Sequence, residues 1–162
     1  MTVSLKYAVI ERERRFLVRS VPGGVTGISR IRDRYIDASR LRLREVRGPD
    51  GKVTRKLGQK IRLGDGPWAI ACTSMYLDDE EWLLLSSLPA RVVTKRRHHL
   101  ERDGVQVVID ELEDGTLLAE IDDGDGPPVR VPSWLDVVAD VTGDEEWTGG
   151  RVAARTEESP TR

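Results

Sequence analysis

The sequence predicts an α+β protein in which about eight antiparallel strands close into a barrel with a charged interior, covered outside by a few helices. Three observations predict it: short segments carry a charged residue at every second position, glycine- and proline-rich turns separate them, and only two segments carry helix signals. Because strand side chains alternate between two faces, each segment directs its charges to one side. Closed around these faces, the strands would enclose a wet lumen suited to one small charged ligand.

Turn signals divide the chain into eight strand-like segments. They are residues 5–19, 28–36, 40–47, 53–62, 67–75, 91–101, 105–112 and 117–123. Most are joined by short turns, which predicts hairpins and antiparallel pairing. One helix is predicted to follow Asp78, with Glu81 at capping-box distance, and to end before Pro89. A second is predicted from Ser133 to about Val141.

Length and composition predict a single domain over residues 1–149, followed by a polar, frayed tail over residues 150–162. Of the 162 residues, 33% are charged and only one is Phe, so many inward-pointing positions are expected to be polar. The net charge is −2 and the pI is about 5.8. A general nucleic-acid binder usually has a basic excess, so no nucleic-acid partner is expected.

The lone cysteine, Cys72, excludes an internal disulfide and is typical of a reducing cytoplasm. It is interpreted as a small buried hydrophobe. Lys6 and Glu11 interrupt the N-terminal region before a long apolar stretch forms, which argues against a signal peptide. The longest apolar run, residues 82–85, is too short to span a bilayer. We therefore expect a cytoplasmic protein with no membrane partner, with a homodimer as an open alternative.

Two carboxylate pairs, Glu11 with Glu13 and Glu120 with Asp122, come from distant parts of the chain. Within each pair the spacing places both carboxylates on one strand face. Hard cations such as Mg²⁺ or Mn²⁺ bind carboxylate oxygens and keep positions open for water and phosphate. Asp110, on the preceding strand, is a candidate fifth ligand. The pattern predicts a site for one or two such ions.

Basic residues on the same strand pattern form the counterpart of these carboxylates. They are Arg42, Arg44, Lys56, Lys60, Lys95 and Arg97. Arginine offers phosphate a planar fork and lysine a compact charge. The bland alternative is a set of exposed cross-strand salt bridges, each worth about 0–1 kcal/mol. The sorting of all these charges by strand face favours a site that binds a linear triphosphate.

These residues resemble the CYTH superfamily, also called triphosphate tunnel metalloenzymes, in order over about residues 5–155. The matching segments are Glu11–Arg15 with Phe16-Leu17-Val18, Tyr35-Ile36-Asp37, Arg42-Leu43-Arg44, Lys56, Lys95-Arg96-Arg97, Asp110, Glu120-Ile121-Asp122 and a closing stretch from Trp134 to Trp147. The resemblance implies an eight-stranded antiparallel tunnel that binds triphosphate and a divalent metal. Members hydrolyse inorganic tripolyphosphate, thiamine triphosphate or nucleoside triphosphates, and some cyclise ATP.

The combined expectation assigns a role to each matched residue. The metal ligands would be Glu11, Glu13, Asp110, Glu120 and Asp122, and the triphosphate would be held by Arg15, Arg42, Arg44, Lys56, Lys95 and Arg97, with Lys60 at the rim. Arg15 and Glu13 are the catalytic candidates. Arg15 replaces the family's lysine and Asp122 its final glutamate. Arginine stays protonated and cannot act as a base, although it can clamp a phosphate.

The sequence thus predicts a metal-dependent triphosphate hydrolase, most closely an inorganic tripolyphosphatase acting on a small-molecule triphosphate or polyphosphate. An adenylate cyclase acting on ATP is one alternative, although no feature for reading adenine is found. A non-catalytic polyphosphate- or nucleotide-binding module is another, favoured by the changes at Arg15 and Asp122. An RNA-binding module using the arginine-rich strands is disfavoured by the acidic pI.

Overall fold

The computed structural model describes residues 4–64, 69–124 and 126–158, with side chains through residue 155. In chain order the elements are β1 (Val9–Glu11), β2 (Glu13–Val18), β3 (Val25–Ile36), β4 (Leu41–Arg47), β5 (Val53–Arg62), β6 (Ile70–Tyr76), α1 (Asp79–Ser86), β7 (Ala90–Arg102), β8 (Val105–Leu112), β9 (Leu117–Asp122), β10 (Val137–Asp140), a 3₁₀ turn (Glu145–Trp147) and α2 (Gly149–Glu158). The α+β class is confirmed. The predicted strand that began at residue 67 starts at Ile70, and residues 67 and 68 lie outside the described residues.

All ten strands join one antiparallel sheet in the order β1-β6-β5-β4-β3-β7-β8-β9-β2-β10. Only Arg12 separates β1, at one edge, from β2, beside the other edge. Since one residue spans at most about 3.6 Å, the sheet must curl until its two ends meet. Among the described residues β1 pairs only with β6, so the hydrogen-bonded ladder stays open. The predicted closed barrel of eight strands is therefore wrong in strand number and in closure.

Two local events account for the extra strands. The predicted strand over residues 5–19 breaks at Arg12 into β1 and β2, which pair with different neighbours. Residues 133–141, predicted as a helix, instead contain β10, which pairs with β2. The β-branched residues Val137 and Val138 favour a strand there. The open edge of β2 supplies the backbone groups that β10 needs.

Alternation along β2 separates the apolar core from the charged face. Phe16 and Val18 are buried in a cluster with Ile109, Ile121 and Leu135. Glu13 and Arg15 occupy the opposite face of the same strand. This cluster thus lies on the outer side of the curled sheet, and the charged residues face the side that it encloses.

Helix α1 begins as predicted. The Asp78 side chain accepts a hydrogen bond from the Glu81 N–H at 2.8 Å, and the Glu81 carboxylate accepts one from the Asp78 N–H at 3.0 Å. This reciprocal capping box satisfies two backbone donors that a helix start leaves open. The Arg55 guanidinium lies over Trp82 of this helix, with its carbon 5.3 Å from the centre of the Trp82 ring.

Helix α2 occupies the segment that was expected to be a frayed tail. Val152 and Ala153 are buried against Val93 and Leu112, and the Arg155 guanidinium lies 4.6 Å from the Trp147 ring centre. The helix was not expected because, among the side chains described, only Val152 and Ala153 anchor it, too few to produce a visible periodicity. No helix within the described ranges is long and apolar enough to cross a membrane.

Candidate functional site

The charged faces of the strands converge on a cavity of about 400 Å³. The predicted residues that line it are Glu13, Arg15, Arg42, Arg44, Lys60, Lys95, Arg97 and Glu120. They come from β2, β4, β5, β7 and β9, so the alternation rule correctly placed side chains from five strands on one interior surface. The N-terminal end of α2 borders the same cavity through Gly149 and Gly150.

Arg44 and Arg42 of β4 are positioned by a buried carboxylate on the neighbouring strand. Asp33 of β3 lies directly opposite Arg44, has no exposed surface and accepts two hydrogen bonds from it, at 2.6 and 2.7 Å. Arg42 Nε lies 3.8 Å from the same carboxylate. Burial alone would raise the pKa of Asp33, but the hydrogen bonds and charge of Arg44 outweigh it and lower that pKa. Asp33 therefore holds Arg44 in one orientation and is charged at neutral pH.

Lys95 and Arg97 of β7 share a second buried carboxylate. Asp110 of β8 lies opposite Arg97, is 1% exposed, and accepts hydrogen bonds from Arg97 at 2.7 and 2.8 Å and from Lys95 at 2.5 Å. Burial lowers the pKa of Lys95, and the positive charge of Arg97 adds to this against the attraction of Asp110. Both side chains line the cavity, with Asp110 behind them.

Arg15 lies between two carboxylates of the acidic side. Its Nε is 3.3 Å from Glu120 Oε1, and its Nη2 is 3.2 Å from Glu13 Oε2. Glu120 also accepts a hydrogen bond from Arg97 at 2.7 Å. Burial would raise the pKa of Glu120, but the charges of Arg97, Lys95 and Arg15 outweigh it and hold that pKa well below the usual range. Glu120 therefore joins the acidic and basic sides of the cavity.

Lys60 links the two carboxylates of the N-terminal motif. Its Nζ donates to Glu11 Oε2 at 2.8 Å and to Glu13 Oε2 at 3.4 Å. The thiol of Cys72, opposite Lys60 on β6, donates to Glu11 Oε2 at 2.8 Å. Burial raises the pKa of this thiol to about 12. Cys72 is buried as expected, and in addition it contacts the site.

Four predicted residues do not line the cavity. Glu11 and Asp110 stand behind it and contact it through Lys60, Lys95 and Arg97. Lys56 lies 5.4 Å from the centre of the Tyr76 ring. The exposed Asp122 accepts a hydrogen bond from the Gly124 N–H at 2.9 Å and so caps the turn after β9.

Several site residues were missed by the sequence analysis. Asp33 was missed because its role depends on lying opposite Arg44 on the neighbouring strand, and the sequence alone does not show this register. Arg40 borders the cavity, and its spacing with Arg42 and Arg44 was a usable signal. Thr142 accepts a hydrogen bond from the Arg15 N–H at 3.0 Å, which ties the end of β10 to the motif strand.

The close approach of α2 to Tyr35 makes Gly149 a sensitive position. A Cβ added to Gly149 would lie 1.8 Å from the Tyr35 hydroxyl and 2.7 Å from its ring carbon. We expect Gly149→Ala to lower the free energy of unfolding by about 1–3 kcal/mol, because the helix or the ring must move. Urea denaturation measures this change. Gly23→Ala, where a Cβ meets no atom within 4 Å, is the matched control; equal effects in both variants would contradict the docking of α2.

The carboxylates fit a divalent metal by chemical type, since Glu11, Glu13, Glu120 and Asp122 offer hard oxygen donors. Glu11 and Glu13 both contact the Lys60 ammonium group, so their carboxylates already lie around one cation. Across the described ranges, however, no three Asp, Glu, His or Cys side chains are arranged to hold a metal ion together. A bound cation would therefore have to compete with Lys60 and Arg15 for these carboxylates.

Known proteins resemble this chain in structure and not detectably in sequence family. No family model and no curated protein matches the sequence significantly. Among solved structures, the inorganic triphosphatase NE1496 aligns with a TM-score of 0.55 at 18% identity, over 90% of this chain and 95% of that chain. This chain has the fold of that protein.

Two archaeal structures have the same fold over a smaller share of the chain. A conserved hypothetical protein from Pyrococcus furiosus aligns with a TM-score of 0.55 at 16% identity, over 73% of this chain and 81% of its own. The PH1012 protein from Pyrococcus horikoshii OT3 gives a TM-score of 0.54 at 18% identity, over 73% and 80%. These likenesses show the fold alone, so the chemistry must be argued from the cavity itself.

Proposed function

We propose that this protein is a metal-dependent triphosphate hydrolase whose substrate is inorganic tripolyphosphate or a related linear triphosphate. The observation that carries the proposal is the charge of the cavity. The cationic side chains that line it are Arg15, Arg40, Arg42, Arg44, Lys60, Arg62, Lys95 and Arg97, against the carboxylates Glu13 and Glu120. Glu11, Asp33 and Asp110 contact these cations from behind, and Glu145 pairs with Arg62, which leaves an excess of two positive charges.

This excess suits a small polyanion. A linear triphosphate carries about four or five negative charges, of which the cavity and one divalent cation would together neutralise about four. Burial makes each contact stronger than at an exposed surface, because the local dielectric constant is lower. A solvent-exposed face of ordinary salt bridges would be expected to have balanced charges, whereas this cavity has an excess of positive charge.

The proposed roles follow from position. Arg42, Arg44, Lys95 and Arg97 would hold the phosphates in line, with Asp33 and Asp110 as positioning residues for them. Arg15 would clamp a phosphate beside Glu13, whose carboxylate would orient the attacking water. The metal would be held by Glu11, Glu13 and Glu120, with Mg²⁺ or Mn²⁺ as the ion; it would neutralise charge on the phosphates and activate water.

A non-catalytic triphosphate-binding module is the second candidate. It is favoured by the pairing of Glu11, Glu13 and Glu120 with protein cations and by the lack of a three-carboxylate cluster in the described part of the chain. Such a module would bind tripolyphosphate tightly and release no phosphate with any metal.

A substrate and metal panel separates these candidates. Phosphate release would be measured from tripolyphosphate, ATP and thiamine triphosphate, each with Mg²⁺, with Mn²⁺ and with chelator. We expect release from tripolyphosphate with a metal and none with chelator. Cyclic AMP as the product from ATP would instead identify an adenylate cyclase. Failure to bind any triphosphate by calorimetry would refute both candidates.

Glu120→Gln tests the acidic side of the site. We expect turnover to fall by about 10²-fold or more, because the change removes an anionic group at the centre of the cavity. The fold should survive, since Arg97 keeps Asp110 and Arg15 keeps Glu13 as partners. Glu101→Gln, at an exposed position of β7, is the control. Full activity of Glu120→Gln would show that this carboxylate takes no part in the reaction.

A further inference from the structure

A second cavity of about 850 Å³ lies outside the first and shares part of its wall. The shared residues are Tyr35, Ser39, Arg40, Leu41, Thr148 and Gly150. The second cavity is also lined by Arg91 from β7 and Arg151 from α2. Since Arg40 borders both cavities, a ligand that leaves the first would enter the second beside a guanidinium.

The arginines of the second cavity are only weakly engaged within the protein. Arg91 Nε lies 3.4 Å from Asp37, and both side chains are nearly half exposed. Arg151 Nε lies 3.7 Å from Glu146, and both are more than half exposed. Exposed pairs of this kind contribute about 0–1 kcal/mol, so an anionic ligand can replace the carboxylates at little cost. Arg40 makes no ion pair with any residue in the described ranges.

The spacing of arginines suits a linear polyanion. Arg40, Arg42 and Arg44 follow one another at every second residue and all border the inner cavity. Arg42 and Arg44 lie about 6–7 Å apart along β4, and Arg40 lies in the turn directly before that strand. They lead from the interior, at Arg44, to the outer cavity, at Arg40. The row therefore continues the inner phosphate contacts outwards.

The wall of the outer cavity offers little to a nucleobase. Tyr35 is its one aromatic residue among those described, and the Tyr35 ring already packs closely on Gly149. Aromatic faces are the usual platform for a base, whereas arginine forks suit phosphate. The lining thus favours further phosphates over a nucleoside.

We propose that the outer cavity binds the phosphates of a linear polyphosphate beyond the third, so that the preferred substrates are inorganic polyphosphates longer than tripolyphosphate. The proposal rests on the proposed function, because it extends the same binding site. It assigns Arg91 and Arg151 to recognition of chain length, and it gives Arg40 contacts in both cavities.

The test compares tripolyphosphate with a long-chain polyphosphate in the variant Arg91→Ala/Arg151→Ala. We expect the ratio of kcat/KM for the long chain to that for tripolyphosphate to fall about tenfold relative to the unmodified protein, since two charged contacts are lost. Arg30→Ala/Arg32→Ala is the matched control, because both residues are exposed on the outer side of β3 and form no ion pair in the described part of the structure. The control should leave the ratio within twofold.

The outcomes separate this proposal from the one on which it rests. Hydrolysis of tripolyphosphate with an unchanged ratio in Arg91→Ala/Arg151→Ala would overturn the outer site alone, as would an equal fall in the control variant. If the unmodified protein prefers ATP to tripolyphosphate and Arg91→Ala/Arg151→Ala loses this preference, the outer cavity binds a nucleoside. That result would also overturn the proposed polyphosphate site. If no hydrolysis occurs, the same ratio is taken from dissociation constants by calorimetry; a failure of both ligands to bind would refute both proposals.

Discussion

Arg42→Ala is expected to lower kcat/KM for tripolyphosphate by about 10²-fold or more while leaving the melting temperature nearly unchanged. The Arg42 Nε is buried and has no hydrogen-bond partner within the described structure, and the nearest carboxylate is 3.8 Å away. Arg42 also lines the inner cavity beside Arg44, where a bound phosphate would meet its guanidinium. Because Arg42 would contact phosphate in both the ground and transition states, we expect KM to rise and kcat to fall.

The comparison with Arg44→Ala makes this result informative. Arg44 is the bidentate partner of Asp33, so its loss leaves a fully buried carboxylate with only the more distant charge of Arg42 beside it. We expect that variant to lose about 3–5 kcal/mol of stability, and Arg44→Ala/Asp33→Ala to recover part of the loss. Steady-state kinetics and urea denaturation on all three variants separate binding from folding. Unchanged kinetics in Arg42→Ala would contradict a phosphate site at β4.

Asp110→Ala is expected to destabilise the fold by about 3–5 kcal/mol at neutral pH, because it removes the carboxylate shared by two buried cations. The loss should shrink at about pH 10. Burial and Arg97 already place the pKa of Lys95 below its usual value, and the loss of Asp110 lowers it further. A lysine with a lowered pKa in the folded state opposes folding while it is charged, and this penalty disappears as rising pH removes its proton.

Urea denaturation at neutral pH and near pH 10 measures the pH effect. Glu113→Ala, on the exposed turn after β8, is the control, and its effect on stability should be small at both pH values. An equal loss for Asp110→Ala at both pH values would show that Lys95 is not the source of the destabilisation.

Alternation of charge predicted most of the sheet because it reports which side of a strand each residue faces. It therefore placed Arg42, Arg44, Lys95 and Arg97 correctly on one interior surface. Alternation does not show which residue of the neighbouring strand lies opposite a given side chain. Asp110 was for this reason interpreted as a metal ligand, whereas register sets it beside Arg97.

The remaining differences also depend on long-range contacts. Residues 137–140 form a strand because β2 offers an open edge 120 residues away in the chain. Helix α2 forms where two small apolar residues meet Val93 and Leu112. The side chain of Asp122 turns away from the cavity because a backbone N–H two residues later is its hydrogen-bond partner. Local composition predicts none of these choices.

The junction at Arg12 also sets the order in which the chain can fold during synthesis. Strand β2, made directly after β1, pairs with β9, whose residues leave the ribosome more than 90 residues later. At about 5–20 residues per second, residues 13–18 wait several seconds for their partner. Pairing over such sequence separations closes large loops and is slow. The hairpins from β3 to β5 can form meanwhile, so the N-terminal strand is expected to insert last and to complete the cavity only when nearly the whole chain is present.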